Sequence, residues 1–147
     1  MLRSIISGLM ILGTGPAAMS FAQDAASEAP IRAIVAEQVT AWNGGDGQAY
    51  ARHLAPDASF TKRHTEILAT FYKGTTKHHE VRRIRFVTPE VAIVDIGNEV
   101  RGVKTMPGGI VVPSDGIVKM QLMEVFVRRE GRWWIEAYHN VDVKAQK

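Results

Sequence analysis

The sequence has 147 residues, which suits one domain, and its 46% apolar and 22% charged content excludes a chain that is disordered or fibrous throughout. It contains no cysteine, which excludes disulfides and thiol chemistry. A formal net charge of +3 at pH 7 is too small to favour a nucleic-acid partner.

The first 22 residues have the layout of a secretory signal peptide. Arg3 supplies a positive charge, an apolar run follows at 5–12, and Ser20-Phe21-Ala22 has small residues at the first and third places. The apolar run is too short to span a membrane. We expect a signal peptide at 1–22, a flexible leader at 23–29 and a periplasmic or secreted protein with no membrane contact after cleavage. An uncleaved anchor is the alternative.

Helical spacing dominates the next part of the chain. Pro30 suits a first helical turn, and Asn43-Gly44-Gly45 suits the end of that helix. The apolar stripe between them is Ile31, Ile34, Val35, Val39 and Trp42. Asp46 is a good N-cap for a second, short helix. A short strand at 58–61 and a third helix at 64–72 are predicted after it.

From Thr76 the apolar period changes to two, which predicts strands at 76–86, 91–100, 117–128 and 133–143. In the first strand, simple alternation places His78 with Ile84 and Phe86, and His79 with Val81, on opposite faces. Turns are predicted at 88–90 and 129–132. Helices followed by an antiparallel meander make the chain α+β.

Four segments in order carry a family resemblance: residues 41–46, 54–58, 81–94 and 128–140, which include Trp42-Asn43-Gly44-Gly45 and Trp133-Trp134. The chain resembles the SgcJ/EcaC family, a SnoaL-like branch of the nuclear transport factor 2-like superfamily, over about residues 30–143, with 144–147 as a tail. The resemblance implies a cone-shaped (cystatin-like) fold, in which N-terminal helices pack on a strongly bent antiparallel sheet. It also implies an apolar cavity and a homodimer through the sheet.

Members of that family are often labelled oxidoreductases, and its wider relatives include cyclases, isomerases, dehydratases and non-enzymatic binding domains. Their chains are longer after the segment matching Asp57-Ala58, and in the isomerases a catalytic carboxylate lies near there. No residue of this sequence matches that carboxylate. Function must therefore be argued from other residues.

Three residues on the strands are candidates for catalysis. His139 is expected to face the cavity with Ile135 and Ala137, where an imidazole can move a proton near neutral pH. Glu124 interrupts an apolar run, so burial should raise its pKa and suit it as a general base. Packing at a dimer interface, or pairing with Arg82, is the other interpretation of Glu124.

Asp95 interrupts a second apolar run, and a dyad with His139 is possible if Asp95 or Glu124 faces it. If the cone holds a ligand, the candidate contacts are Trp42, Tyr50, Phe60, Phe71 and Asn140. As tryptophans, Trp42, Trp133 and Trp134 are expected to anchor the core or an interface rather than to stack on a cofactor. No metal or cofactor is expected, because the adjacent His78 and His79 point to opposite faces of a strand. His78 and Glu80, with His64 or His53 as a third ligand, are the alternative, but the sequence has no HExxH-type spacing.

Three functions remain open at this point. The first is an exported cone that binds a small apolar or amphipathic metabolite. The second is an SgcJ/EcaC-like enzyme, either an oxidoreductase or an isomerase- or cyclase-type catalyst of proton transfer beside a carbonyl. The third is a dimeric interaction module without catalysis. The first is favoured, because the usual place for a catalytic acid is missing.

Overall fold

The computed structural model describes residues 16–58, 66, 69–70, 72–106 and 111–142. Two helices, α1 (Pro16–Asn43) and α2 (Gly47–Ala51), precede four strands, β1 (Thr76–Thr88), β2 (Val91–Arg101), β3 (Ile117–Arg129) and β4 (Arg132–Asp142). Most of the strand and helix predicted at 58–72 lies outside the described residues. Within the part that is described, no helix is both long and apolar enough to cross a membrane.

Helix α1 starts earlier than the sequence indicates. It begins at Pro16 rather than Pro30, so residues 23–29, expected to be a flexible leader, are helical. The reason is local: the segment before Pro30 is rich in alanine, the strongest helix former. Pro30 is tolerated inside the helix at the loss of one backbone hydrogen bond.

The end of α1 follows the prediction closely. Gly45 has a φ of 70°, and two reversed hydrogen bonds, from the Gly45 N–H to the Trp42 carbonyl and from the Asp46 N–H to the Ala41 carbonyl, close the last turn. Asp46 then caps α2 by accepting a 2.8 Å hydrogen bond from the Ala49 N–H. The chain reverses within a few residues, which brings α2 against α1.

The four strands form one antiparallel sheet in the order β1-β2-β3-β4. Strands β3 and β4 are joined by Glu130 and Gly131 alone, whose φ values of 53° and 77° are those of a type I′ hairpin turn. The α+β meander predicted from the sequence is confirmed. The helices cover its concave face, and Leu54 adds an isolated bridge to Ile135 in β4.

Two β-bulges change which side chains face the helices. In β1, Val81 pairs with Ile96 and Arg83 with Asp95, so Arg82 is an extra residue. In β4, Ile135 pairs with Phe126 and Ala137 with Val125, so Glu136 is extra. Beyond each bulge the alternation is inverted. Ile84 and Phe86 therefore join Val81 and His79 on the concave face, which corrects the simple alternation expected for β1.

The core divides into two clusters of buried side chains. The larger one joins α1 to the centre of the sheet, with Ile31, Phe126 and Ile135 fully buried. The smaller one lies toward the end of α1 and contains Trp42 and Tyr50. Buried polar residues lie among these clusters, on the same concave side.

Candidate functional site

Six polar residues with buried side-chain atoms lie on the concave side of the sheet or on the helices that cover it. We call them the interior polar residues: Gln38 from α1, Tyr50 from α2, Lys77 and His79 from β1, Asn98 from β2 and Glu124 from β3. In the register, their strand positions are continuous with the buried apolar residues of the same face. They place hydrogen-bonding and titratable groups inside an otherwise apolar interior.

Glu124 is the buried carboxylate of this set. Only 3% of the residue is exposed, and its neighbours on the same face, Leu122 and Phe126, are buried core residues. Its Oε2 atom has no hydrogen-bond partner among the described residues. Burial raises the pKa of Glu124 to about 7, although attraction to Lys77 opposes the change. Near neutral pH this group can both accept and donate a proton.

Lys77 is the buried cation of the set. Its Nζ donates a 3.2 Å hydrogen bond to the Tyr50 hydroxyl and lies 3.8 Å from the centre of the Trp42 ring. Burial lowers the pKa of Lys77 to about 7, against the attraction of Glu124. Burial and repulsion by Glu124 hold the pKa of Tyr50 far above its ordinary value. The phenol beside the amine therefore stays protonated.

The end of α1 holds the backbone of Lys77, at the start of β1, in place. The Lys77 N–H donates a 2.7 Å hydrogen bond to the Asn43 Oδ1 atom, and the Asn43 amide donates a 3.1 Å bond back to the Lys77 carbonyl. The Trp42 indole N–H donates a 3.0 Å bond to the Thr75 hydroxyl. These contacts pin the start of β1 against the end of α1. The position of the amine is thus fixed by several backbone and side-chain bonds.

Gln38 is fully buried, and neither its side-chain oxygen nor its nitrogen is hydrogen-bonded within the described structure. His79 lies opposite Asn98 of β2, close enough for the Asn98 side chain to favour its charged form, but their atoms do not meet the full geometry of a hydrogen bond. Burial, with repulsion from Lys77, lowers the pKa of His79 to about 3, so its ring is neutral.

The predicted catalytic residues do not come together. His139 and Asp95 both lie on the convex face, because the bulge at Glu136 inverts the end of β4, so His139 does not share a face with Ile135 as expected. His139 is exposed, and Asp95 is half-buried. Each is paired in the register with Met123, which separates them by two strand spacings, about 10 Å. Neither carboxylate forms the predicted dyad with His139.

The expected partner of Glu124 also needs correction. Arg82 belongs to the bulge of β1 and lies on the convex face, over Gly97, where it donates a hydrogen bond to Gln121. Glu124 faces the opposite side of the sheet. The cation that acts on the carboxylate is Lys77.

The predicted ligand contacts are partly placed. Trp42 and Tyr50 are buried together, with ring centres 5.6 Å apart, and both contact the Lys77 amine. Asn140 pairs with Leu122 in the register but is exposed at the edge strand. Phe60 and Phe71 lie outside the described residues. The roles proposed for all of these side chains, as for the three catalytic candidates, remain predictions.

Sequence reasoning missed Gln38, Lys77 and His79 as interior groups. Gln38 follows Ile34 and Val35 at spacings of four and three residues, which is the signal of a shared helical face. Lys77 and His79 alternate with Val81, but because of the bulge at Arg82 the sequence does not show that Ile84 and Phe86 share this face. Because the start of β1 is polar, nothing in its sequence indicates that Lys77 and His79 are buried.

A pocket of about 390 Å³ lies next to these groups, at the end of α1. It is lined by residues 41–47, Ala69 and residues 72–75, and Trp42 belongs both to its wall and to the contacts of Lys77. Across the described residues, no three His, Asp or Glu side chains are close enough to hold a metal ion.

Comparison with known proteins identifies the fold. No family model matches the chain, and no curated protein matches it. An uncharacterized protein with a cystatin-like fold from Caulobacter vibrioides superimposes with a TM-score of 0.69 at 23% identity, covering 80% of this chain and 90% of that one.

Two further solved structures carry enzyme names. A hexachlorocyclohexane dehydrochlorinase of LinA type 3 from Novosphingobium barchaimii LL02 has a TM-score of 0.64 at 12% identity, with 83% and 90% of the two chains covered. A ketosteroid isomerase-like protein from Erwinia carotovora atroseptica SCRI1043 has a TM-score of 0.58 at 17% identity, with 80% and 96% covered. The chain therefore has the cystatin-like, nuclear transport factor 2-like fold predicted from its sequence.

Proposed function

We propose that this protein binds a small, mainly apolar organic molecule between the helices and the concave face of the sheet, and that a polar group of the ligand contacts Glu124. The observation that carries the proposal is the buried carboxylate itself. Glu124 is 3% exposed, it sits among core side chains, and its Oε2 atom has no partner in the described residues.

The energetic argument concerns groups left without hydrogen bonds. A buried polar atom with no partner costs about 1–3 kcal/mol, and native proteins contain few of them. Here Glu124 and Gln38 both contribute such atoms on one side of one sheet. A bound molecule with one or two polar atoms would satisfy several of them at once. Such pockets are mostly apolar, with few polar groups that fix orientation.

Native mass spectrometry of the full chain, before and after mild denaturation, tests for a retained molecule. The matched pair of variants is Glu124→Gln in the interior and Glu80→Gln on the exposed convex face. We expect the natural protein to retain a ligand, or to be stabilised against heat by members of a panel of apolar carbonyl compounds and alcohols. Glu124→Gln should lose this binding, and Glu80→Gln should keep it. If neither the natural protein nor any panel member shows binding, the proposal is refuted.

A second candidate function is acid–base catalysis, and the pKa of Glu124 favours it. A carboxylate with a pKa of about 7 has the strength to remove a proton beside a carbonyl and return it. The fold is shared with proteins named as a dehydrochlorinase and as ketosteroid isomerase-like, which supports this chemistry for such a cone without assigning it.

Exchange of deuterium into the α-carbon of 2-tetralone in D₂O tests the catalytic candidate, because exchange requires proton removal and return at one carbon. Acceleration that rises through pH 7 and disappears in Glu124→Gln, but not in Glu80→Gln, would support it. Binding without exchange would leave the protein as a binding module and refute the enzyme.

Three sequence-based expectations complete the proposal. Membership of the SgcJ/EcaC family is supported by the quoted motifs, and export by the layout of residues 1–22. A homodimer through the convex face is supported by its exposed apolar side chains: Val87 and Val141 are 53% and 52% exposed, and Met123 is 40% exposed. Sedimentation of Met123→Lys against the unchanged chain tests the dimer, which should dissociate.

A further inference from the structure

We propose that Lys77 is a covalent attachment point inside the cone, and that it captures an aldehyde or ketone ligand as an imine. This inference rests on the proposed function, because it names the chemical class of ligand that the interior would hold. It assigns to the amine a role different from that of Glu124, which contacts the polar group of the ligand.

The first observation is the surroundings of the amine. Lys77 is 7% exposed, and no carboxylate of the described residues lies within ion-pair distance of its Nζ. Among the described residues, Nζ contacts one phenol oxygen at 3.2 Å and the faces of two aromatic rings, whose centres lie at 3.8 Å and 5.0 Å. Lysines are almost never buried unless they are paired. This one is buried against two aromatic rings, and burial penalises its charged form.

The second observation is the set of titratable groups that act on the amine. Burial is the larger influence and lowers its pKa to about 7, whereas Glu124 on β3 raises it. Tyr50 on α2 stays protonated, and His79 on β1 is neutral, so neither adds an opposing charge. The Trp42 ring face favours the ammonium form. Both forms of the amine are therefore accessible near pH 7.

The chemistry balances without any oxidant or reductant. The neutral amine attacks the carbonyl carbon and forms a C–N bond, while one of the two protons on nitrogen passes to the carbonyl oxygen, which becomes a hydroxyl. That hydroxyl leaves as water after a second proton reaches it, and nitrogen loses its own proton as the C=N bond forms. The Glu124 carboxyl, with a pKa of about 7, can give and regain that proton, while the protonated Tyr50 hydroxyl, 3.2 Å from Nζ, holds the amine in place.

Reductive trapping tests this inference. The full chain is incubated with limiting benzaldehyde and sodium cyanoborohydride at pH 7, and the labelled lysines are mapped by peptide mass spectrometry. At that pH an amine with a pKa of about 7 has a neutral fraction roughly a thousandfold larger than that of an ordinary lysine. We expect Lys77 to be labelled at least about tenfold faster than Lys119, which is 65% exposed on the convex face.

Two variants separate the possible outcomes. Lys77→Met should abolish the fast label, and Lys119→Met should leave it unchanged. The rate ratio within the unmodified protein does not depend on how either variant folds. If Lys77 is labelled no faster than Lys119, the inference is overturned. If a ligand is retained and released intact by denaturation while Lys77 stays unlabelled, the proposed binding function stands and the covalent role fails alone.

Discussion

Replacing Glu124 by glutamine should change how the stability of the protein depends on pH. In the folded state the pKa of this carboxyl is raised from 4.5 to about 7, whereas in the unfolded chain it returns to its ordinary value. Between these two values the folded protein holds a proton that the unfolded chain has released. The contribution of Glu124 to stability is therefore fully present below pH 4.5 and is lost as the pH rises through 7.

The magnitude follows from the width of that window. One pKa unit corresponds to about 1.4 kcal/mol, so the change from 4.5 to about 7 corresponds to about 3 kcal/mol. The electrostatic attraction between Glu124 and Lys77 does not contribute at either end of the pH range. Near pH 4 the carboxyl is neutral, and near pH 8.5 the amine, with a pKa of about 7, is mostly neutral. The comparison is cleanest at these two values.

Urea unfolding of the unchanged chain, Glu124→Gln and Glu80→Gln at pH 4 and pH 8.5 measures this effect. From the lower to the higher pH, the unchanged protein should lose about 3 kcal/mol relative to Glu124→Gln. The pH-independent cost of a buried amide cancels in that difference. Glu80→Gln should follow the unchanged chain. A difference near zero, or of opposite sign, would mean that other groups stabilise the Glu124 carboxylate, and the argument for an interior acid with an open acceptor atom would fail.

Four further changes test other parts of the structure. Because burial lowers the pKa of Lys77 in the folded state, the unchanged protein should lose stability as the pH falls from 10.5 to about 7. Lys77→Met should not show this loss, and urea midpoints at pH 10 and pH 7 measure the difference. Phe126→Ala should cost about 3–5 kcal/mol in unfolding free energy, because the ring is fully buried; a cost below 1 kcal/mol would contradict the described core. Trp42→Phe should cost about 1–2 kcal/mol of unfolding free energy in the same assay, because it removes the 3.0 Å hydrogen bond to Thr75. If that bond is the cause, Trp42→Phe should cost less when it is made in a Thr75→Val background. Glu130→Gly should stabilise the protein by about 0.5–1 kcal/mol in calorimetry, since its φ of 53° strains any side chain; a loss of stability would refute the turn geometry.

The elements of the fold could be predicted because each has a local signal. Gly45 and Asp46 end one helix and start the next through hydrogen bonds between near neighbours in sequence. The Glu130-Gly131 turn requires residues that tolerate positive φ, and the strands on either side alternate regularly up to the bulges. The predicted start of α1 at Pro30 was wrong, because proline is only a preferred first residue and an alanine-rich sequence can extend a helix through it.

The site was harder to predict, because a bulge is one residue with no marked sequence signal. Arg82 and Glu136 are ordinary strand residues, yet each inverts the faces beyond it. The first inversion brings Ile84 and Phe86 into the core on the same face as His79, and the second moves His139 to the exterior. Glu124 lies on β3, which has no extra residue, so simple alternation placed it correctly among Leu122 and Phe126.

Glu124 and Lys77 have interior pKa values that nearly coincide, both at about 7. When an acid and a base are matched in this way, a proton moves between them or to a ligand at little cost, and small changes in surroundings decide which group is charged. A neutral, apolar ligand that buries both groups further would raise the pKa of the acid and lower that of the base, leaving both uncharged. An anionic ligand would favour the ammonium, and a cationic one the carboxylate. Proton uptake or release on binding, measured by calorimetry in buffers of different ionisation enthalpy, would therefore identify the ligand charge even before its structure is known.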